Sequence, residues 1–434
     1  MKKMRKRGLS SLIIIIVLLI SAAILVFGFT GIGIFPGSTH EESEELPVAI
    51  NHLLTNQLSD LPETEKMDAQ IERFMRQWDI KGASLAIMKD EKLIYAKGYG
   101  WADKEIGDSA EVKHIFRIAS LSKLITAVAV MKLSEEGKIA LEDMPFAKGG
   151  VLDIPQFTQI RDSRVRSITV EQLLRHQGGF SSRAGDPMFN LGVISRRLSL
   201  GRAAETDEII SFCLNQRLAF TPGHGTRYSN LGYVILSRLI EAVSGVTYEE
   251  YVKEYIFKPA GVYDIHLANN FYDQRFPNEV KYYEPLDEEP VESYLGDGRF
   301  LQRCYGGNNI RALLGAGAWV ASPSELLKLI AAIDGRGNVP DILSEESIRV
   351  MTTTDRSSLP IGWAKCTPSG DWSRTGTLSG TSALLKYSRD GLSWVFITNT
   401  SSWKGSTFPR QIDALFRNAF KRVTFWPERD LFDF

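Results

Sequence analysis

Residues 120–131 read Ser120-Leu-Ser-Lys-Leu-Ile-Thr-Ala-Val-Ala-Val-Met131, and no proline or glycine follows before Gly137. This apolar pattern predicts a helix that begins at a Ser-x-x-Lys motif. Because residues three positions apart share one face of a helix, Lys123 can hold its amine beside the Ser120 hydroxyl. The helix amino terminus and the backbone N–H of Ser120 favour developing negative charge. The pattern therefore predicts a nucleophilic serine, although a serine in this position can also be a simple helix cap.

The Ser-x-x-Lys spacing is weak evidence by itself, because serine and lysine are common residues. A second match, Ser401-Ser-Trp-Lys404, lies in a polar stretch that is typical of a loop. The helical context of the first match is what favours it as the catalytic one.

A second motif, Tyr228-Ser-Asn230, follows the turn-rich run Thr221-Pro-Gly-His-Gly-Thr-Arg227 and precedes a predicted helix over residues 231–243. A junction between loop and helix can aim side chains into a cleft. Tyr228 can relay the Ser120 proton, with Lys123 lowering its pKa, and Asn230 can bind a substrate amide. A structural interpretation is also open, in which Asn230 caps the helix and Tyr228 packs.

The third motif is Arg374-Thr375-Gly376, followed by Thr377. A glycine at position 376 lets a bound acyl group approach the backbone, and the N–H of Thr377 can be the second donor of an oxyanion site. We treat these four residues as candidates for substrate binding.

The distribution of predicted elements indicates one α+β sheet made from distant parts of the chain. Mixed turn-rich and helical sequence over about residues 141–315 separates the strands near the two ends. The elements at the ends are a helix at 67–78, a strand pair around Asp90-Glu91, strands at 382–388 and 392–398, and a closing helix at 411–421.

Taken together, the three motifs resemble those of the serine β-lactamase and penicillin-binding-protein superfamily, in its class C β-lactamase, DD-peptidase and esterase-like branch. Supporting segments are Tyr99-Gly-Trp-Ala-Asp103, Leu173-Leu-Arg-His-Gln-Gly-Gly-Phe180 and Gly376-Thr-Leu-Ser-Gly380. The resemblance covers about residues 67–421. It implies an antiparallel sheet flanked by helices, in a catalytic domain over 67–425 with an inserted helical subdomain at about 141–315.

The resemblance also implies a reaction. An amide or ester carbonyl acylates Ser120, Lys123 and Tyr228 handle protons, and water completes turnover. Asn230 and the third motif hold the substrate, which is a peptide, an ester or a β-lactam. The sequence leaves open whether Lys123 or Tyr228 is the general base.

Arg374 departs from the resemblance, because the family usually has lysine or histidine there. Arginine cannot lose its proton, so a proton relay through this position is excluded. A guanidinium can grip a carboxylate or phosphate with two hydrogen bonds. We therefore expect an anionic D-amino-acid substrate of the cell envelope.

Composition limits the partners. The 434 residues carry a formal net charge of −1, so no global field attracts nucleic acid. Six histidines lack ligand spacing, and no glycine-rich phosphate loop follows a strand. We expect neither a metal nor a cofactor, and we expect a small-molecule or peptide substrate.

The amino terminus predicts a membrane location. Basic residues between Lys2 and Arg7 precede an uncharged stretch from Gly8 to Thr39 whose apolar centre is 12–29. Its length favours a single-pass anchor at 1–40 over a cleaved signal, for which Gly31-Ile-Gly33 is a candidate site. The positive flank places the catalytic domain outside the cytoplasm, behind an acidic linker at 41–66. Cleavage would instead give a secreted or periplasmic protein.

Two classes of function follow from the sequence. The first is a membrane-tethered serine hydrolase. The alternative is a non-catalytic envelope protein that keeps the fold to bind or sense a ligand. The full set of Ser120, Lys123, Tyr228 and Asn230 favours the enzyme, because a scaffold has no chemical need for all four.

Overall fold

An antiparallel sheet made from both ends of the chain forms the middle layer of the fold. The computed structural model describes residues 47–183, 185–354 and 358–433. The strands are β1 Gly82–Lys89, β2 Lys92–Asp103, β3 Asp108–Ser109, β4 Phe116–Arg117, β5 His266–Leu267, β6 Val291–Glu292, β7 Phe300–Leu301, β8 Trp319–Ala321, β9 Lys365–Cys366, β10 Trp372–Leu378, β11 Thr381–Tyr387 and β12 Leu392–Thr398. Over these ranges, the main sheet has seven strands in the order β3-β2-β1-β12-β11-β10-β9.

The sheet joins the two ends of the chain through β1 and β12. Ala83 pairs with Thr398 and Lys89 pairs with Leu392, in an antiparallel register. Side chains of a strand alternate between faces, so successive residues enter different cores. On β12, Phe396 packs in one hydrophobic cluster and Val395 and Ile397 in the other.

Helices cover both faces of this sheet. They are α1 Ile50–Leu53, α2 Glu65–Gln77, α3 Ser122–Glu135, α4 Val170–Leu174, α5 Leu191–Arg197, α6 Thr206–Leu214, α7 Asn230–Ser244, α8 Tyr248–Val252, α9 Pro323–Ala331, α10 Glu345–Thr352 and α11 Pro409–Ala419. The apolar faces of α2 and α11 pack on one side, where Ile71 and Phe416 are fully buried. The other side carries α9 and the larger core that includes α3.

Helices α4 to α8 lie in the segment between α3 and the second half of the sheet. Helix α7 contacts α3, α4 and α8, and its buried residues include Val234 and Ile240. The short strand β8 pairs with both β4 and β5, which brings this segment against the start of α3. The predicted α+β class with an antiparallel sheet is confirmed.

The described part of the predicted linker at 41–66 packs on the domain. Ile50 and Leu54 are buried, and the amide of Asn51 donates to Asp264 at 2.6 Å. The acidic run before residue 47 suggested a linker, but the apolar residues after it bury against α9 and its neighbours.

The predicted localisation at the cell membrane requires correction. Within residues 47–183, 185–354 and 358–433, no helix is both long and apolar enough to cross a membrane. On this finding the prediction of a single-pass membrane protein is wrong. The expected anchor or signal at 1–40 lies outside the described residues.

Candidate active site

Ser120 lies in a tight turn that leads into α3. A short 3-10 turn over Ala119–Leu121 precedes the helix, and Ala119 has a positive φ of 49°. A non-glycine residue in this region costs about 1–3 kcal/mol and is held there by its surroundings. The prediction of a helix at the motif is correct to within two residues. The strained turn raises the Ser120 hydroxyl into a cleft of about 430 Å³.

Lys123 lies directly behind the serine and is completely buried. Its Nζ donates to the Asn230 Oδ1 at 2.7 Å and to the carbonyl oxygen of Ala316 at 2.5 Å. The same Nζ lies 3.3 Å from the Ser120 Oγ. Burial lowers the pKa of Lys123 to about 8, because the charged ammonium is removed from water.

Tyr228 approaches Ser120 from the loop before α7. Its hydroxyl lies 2.6 Å from the Ser120 Oγ. Burial of the phenol opposes ionisation, but the nearby positive charges of Lys123 and Arg374 outweigh this effect and lower the pKa of Tyr228. The serine hydroxyl is therefore flanked by two titratable groups whose pKa values are lowered.

Asn230 is the first residue of α7, and both atoms of its amide are engaged. Its Oδ1 accepts from Lys123, and its Nδ2 donates to the Asp186 Oδ2 at 2.7 Å. Sequence reasoning missed Asp186, which also caps a short turn by accepting from the Met188 N–H at 2.9 Å. Within the part of the chain that the structure describes, the second hydrogen of the Asn230 Nδ2 has no acceptor.

Arg374 is only 3% exposed and contacts Ser120 and Tyr228 from the β10 side. Its Nε donates to the Ser120 carbonyl oxygen at 2.8 Å, and its Nη2 lies 3.4 Å from the Tyr228 hydroxyl. The Nε and the Nη2 of Arg374 thus both face protein atoms. This arrangement favours an electrostatic effect on Tyr228 over the two-pronged grip on substrate that the sequence suggested.

Thr375 and Thr377 line the cleft from β10, with Gly376 between them. A side chain at position 376 would meet the carbonyl oxygen of Ile118 at 2.4 Å. Glycine is therefore required because β10 passes directly against the turn that carries Ser120. The structure brings together all eight residues that the sequence selected.

The walls of the cleft beyond these groups are largely apolar. Phe189, Leu313, Leu359, Trp363 and Leu378 contribute them. Such walls exclude water and strengthen the electrostatic interactions of Lys123 and Arg374 with a reacting group.

His176 supports Tyr228. It is 4% exposed, its ring centre lies 4.6 Å from that of Tyr228, and its Nδ1 accepts from the Ser229 N–H at 3.2 Å. Burial, with Arg374 and Lys123 nearby, holds the pKa of His176 well below its ordinary value. A neutral imidazole that accepts a backbone hydrogen bond is a packing element.

The second Ser-x-x-Lys match takes no part in this cluster. Lys404 lies in a turn with its Nζ 4.2 Å from the centre of the Trp403 ring. No group of His, Cys, Asp and Glu side chains in the part of the chain that the structure describes is arranged to hold a metal ion.

Comparison with known proteins assigns the family. The family model described as Beta-lactamase matches residues 67–415, which is most of the chain. The chain belongs to the beta-lactamase family. The resemblance to the serine β-lactamase and penicillin-binding-protein superfamily is confirmed, and with it the assignment to a family of serine hydrolases.

Curated relatives match the beta-lactamase domain over part of their length. Protein flp of Staphylococcus aureus (strain MW2) is 27% identical over 195 residues, which are 45% of this chain and 36% of that protein. Penicillin-binding protein 4* of Bacillus subtilis (strain 168) is 29% identical over 181 residues, which are 41% of this chain and 36% of that protein. The chain thus spans little more than a third of the length of these two relatives.

A solved structure supports the fold. The D-amino acid amidase from Ochrobactrum anthropi SV3, in complex with D-phenylalanine, superposes with a TM-score of 0.63 at 21% identity. The match covers 83% of this chain and 99% of the amidase chain. At this identity the similarity establishes a shared beta-lactamase-like fold.

Proposed function

We propose that the protein is a hydrolase that forms an acyl-enzyme intermediate on Ser120 from a peptide, ester or β-lactam carbonyl. The position of the Ser120 Oγ carries this proposal, since it lies 2.6 Å from the Tyr228 hydroxyl and 3.3 Å from the Lys123 Nζ. A nucleophilic serine requires an adjacent group that takes its proton.

Tyr228 is the general base in this proposal. It is the closer of the two groups, and its pKa is lowered by the charges of Lys123 and Arg374. Lys123, whose ammonium hydrogens face Asn230, Ala316 and Ser120, stays protonated and stabilises the phenolate. Tyr228 takes the serine proton as Ser120 attacks, and the same proton then passes to the leaving group.

Backbone N–H groups then stabilise the tetrahedral intermediate. The candidates are those of Ser120 and Thr377, because Ser120 lies in the turn before α3 and Thr377 lines the cleft from β10. Water attacks the acyl-enzyme with Tyr228 again as the base, and Ser120 leaves with the proton that Tyr228 abstracted from water.

The proposed substrate is a D-amino-acid amide or ester, or a related small peptide, with an anionic group. The D-amino acid amidase shares the fold over nearly its whole length, which supports this class. The buried charges of Lys123 and Arg374 at the cleft support an anion, because they attract negative charge in a region of low dielectric. Asn230 and Thr375 are the candidate contacts to the substrate backbone.

Covalent labelling tests the proposal. The protein is incubated with a fluorescent phosphonate and a fluorescent penicillin, and the adduct is mapped by mass spectrometry. We expect one adduct at Ser120, none in Ser120→Ala, and unchanged labelling in Ser401→Ala, the serine of the second Ser-x-x-Lys match. If no adduct depends on Ser120, the non-catalytic binding function takes its place. A panel of p-nitrophenyl esters, D-Ala-D-Ala peptides and nitrocefin then ranks the substrates.

A further inference from the structure

A second cavity of about 890 Å³ lies in the helical segment, and Ser120 does not line it. It is bounded by α5, α6 and the start of α7, and its apolar lining includes Phe180, Ile194, Phe212 and Leu218. None of the residues that line it also lines the catalytic cleft. A cavity of this volume holds a small organic ligand.

Arginine is the dominant charged residue of this cavity, which we call the arginine pocket. Five exposed arginines line it: Arg161, Arg183, Arg197, Arg217 and Arg227. Among the described residues that line the pocket, none is acidic. Five like charges around one cavity give it a positive potential, which attracts an anion.

Pairing distinguishes these arginines from others in the same part of the fold. Arg164 is paired with Asp162 at 2.7 Å, Arg175 with Glu171 at 2.8 Å and Arg238 with Asp207 at 2.7 Å. Within residues 47–183, 185–354 and 358–433, the guanidinium groups of the five pocket arginines form no ion pair or hydrogen bond with the protein. Their donors are therefore available to a ligand.

We propose that the arginine pocket binds an organic phosphate whose apolar group lies on the Phe180 and Phe212 side. The planar guanidinium presents paired N–H donors that match the oxygens of a phosphate. A phosphate monoester carries nearly two negative charges at neutral pH, so it neutralises more of the five arginines than a single carboxylate does. An inorganic ion buries no apolar surface against this lining, so the proposed ligand also carries a hydrocarbon group.

The pocket is distinct from the catalytic centre but adjoins it in sequence. Arg227 precedes Tyr228, and Leu231, which lines the pocket, follows Asn230. Because Ser120 does not line the pocket, phosphate binding does not require the proposed hydrolase reaction. Ser120→Ala is therefore expected to bind the phosphate with unchanged affinity.

Isothermal titration calorimetry on the full chain tests the site with hexyl phosphate as the probe. We expect saturable binding with one site per chain, weaker binding of inorganic phosphate and hexanoate, and no binding of hexanol. Added salt should weaken the affinity, because it screens the charges. The double variant Arg161→Ala/Arg217→Ala should bind at least about tenfold more weakly, since each removed arginine deletes a charge-assisted hydrogen bond.

The control is Arg417→Ala. Arg417 is also an exposed arginine, but it lies on α11 and pairs with Asp413. The Arg417→Ala variant should bind hexyl phosphate with unchanged affinity. Thermal unfolding should show that this control and the double variant both remain folded. Unchanged affinity in the double variant overturns the proposal. If inorganic phosphate binds as tightly as hexyl phosphate, the ligand needs no hydrocarbon group. If hexanoate binds as tightly, the pocket does not prefer a phosphate.

Discussion

Asp186 fixes the orientation of the Asn230 side chain through a hydrogen bond. The Asp186 Oδ2 accepts a hydrogen bond from the Asn230 Nδ2 at 2.7 Å, while the Asn230 Oδ1 accepts one from the Lys123 Nζ, also at 2.7 Å. The amide cannot turn over without losing both bonds. A negative charge is thereby connected through one amide to the buried ammonium beside Ser120, and this charge raises the pKa of Lys123 against the effect of burial.

Asp186→Asn should shift the alkaline limb of the pH profile to lower pH. Without the carboxylate, the pKa of Lys123 falls further below about 8, so the ammonium that stabilises Tyr228 is lost earlier as pH rises. We also expect kcat/KM to fall by roughly tenfold, because asparagine has one acceptor oxygen for the two hydrogen bonds that the carboxylate accepts from Asn230 and Met188. The measurement is kcat/KM of a p-nitrophenyl ester from pH 6 to 10. Asp413→Asn, which removes a carboxylate of the Lys386 pair, should leave the profile unchanged.

Tyr228→Phe should reduce the rate of acylation by about 10²–10⁴-fold, because the proposed general base is removed. Stopped-flow kinetics with a chromogenic ester measures this rate directly. Tyr255→Phe is the matched control, since Tyr255 is exposed and lies outside the cleft. A loss of less than threefold would make Lys123 the base.

Arg374→Gln should move the acid limb of the profile to higher pH. Arg374 lowers the pKa of Tyr228, so its removal makes the phenol harder to ionise. Arg374→Lys keeps the charge and should shift the limb less. Kinetics with an anionic and a neutral ester distinguish an effect of Arg374 on the pKa of Tyr228 from direct binding of the substrate by Arg374. If KM rises only for the anionic ester and the acid limb does not shift, Arg374 binds the anionic group of the substrate through two hydrogen bonds.

Local patterns selected the residues that the structure brings together at the cleft, and the resemblance to a known family linked the three motifs. Ser120 lies in the turn before α3 and Lys123 in the first turn of that helix, while Tyr228 and Asn230 share a junction, so short-range geometry placed each pair. Asp186 escaped prediction because it lies 44 residues before Asn230 in a turn, and only tertiary packing brings the two together. Its position before a proline, at the cap of a short turn, was the available signal. The acceptor at Ala316 is a backbone carbonyl, for which no side-chain pattern exists.

The sequence was sufficient to locate the main strands, but it did not reveal how they pair. The alternation of apolar residues located β1, β2, β11 and β12. The pairing of β1 with β12 depends on contacts more than 300 residues apart, which periodicity does not encode. The α1 region was interpreted as linker because the segment is acidic and contains two prolines. Its contacts, such as the hydrogen bond that Glu325 accepts from the Ile50 N–H, join residues 275 positions apart, which no local pattern reveals.

Asp334→Asn should remove a pH-dependent loss of stability. Asp334 is 3% exposed and its Oδ2 has no partner among the described residues. Burial, with Glu91 and Asp341 nearby, raises its pKa from 3.8 to about 7.

In the unfolded chain Asp334 loses its proton near pH 4, whereas the folded protein holds it until about pH 7. The folded state therefore binds more protons over this range, and the unfolding free energy falls as pH rises through it, by up to about 4 kcal/mol. Urea unfolding at pH 5 and pH 8 measures the effect. The variant should gain stability over the native protein at pH 8 and much less at pH 5, because asparagine carries no charge at either pH. Equal differences at the two pH values would show that Asp334 does not titrate between them.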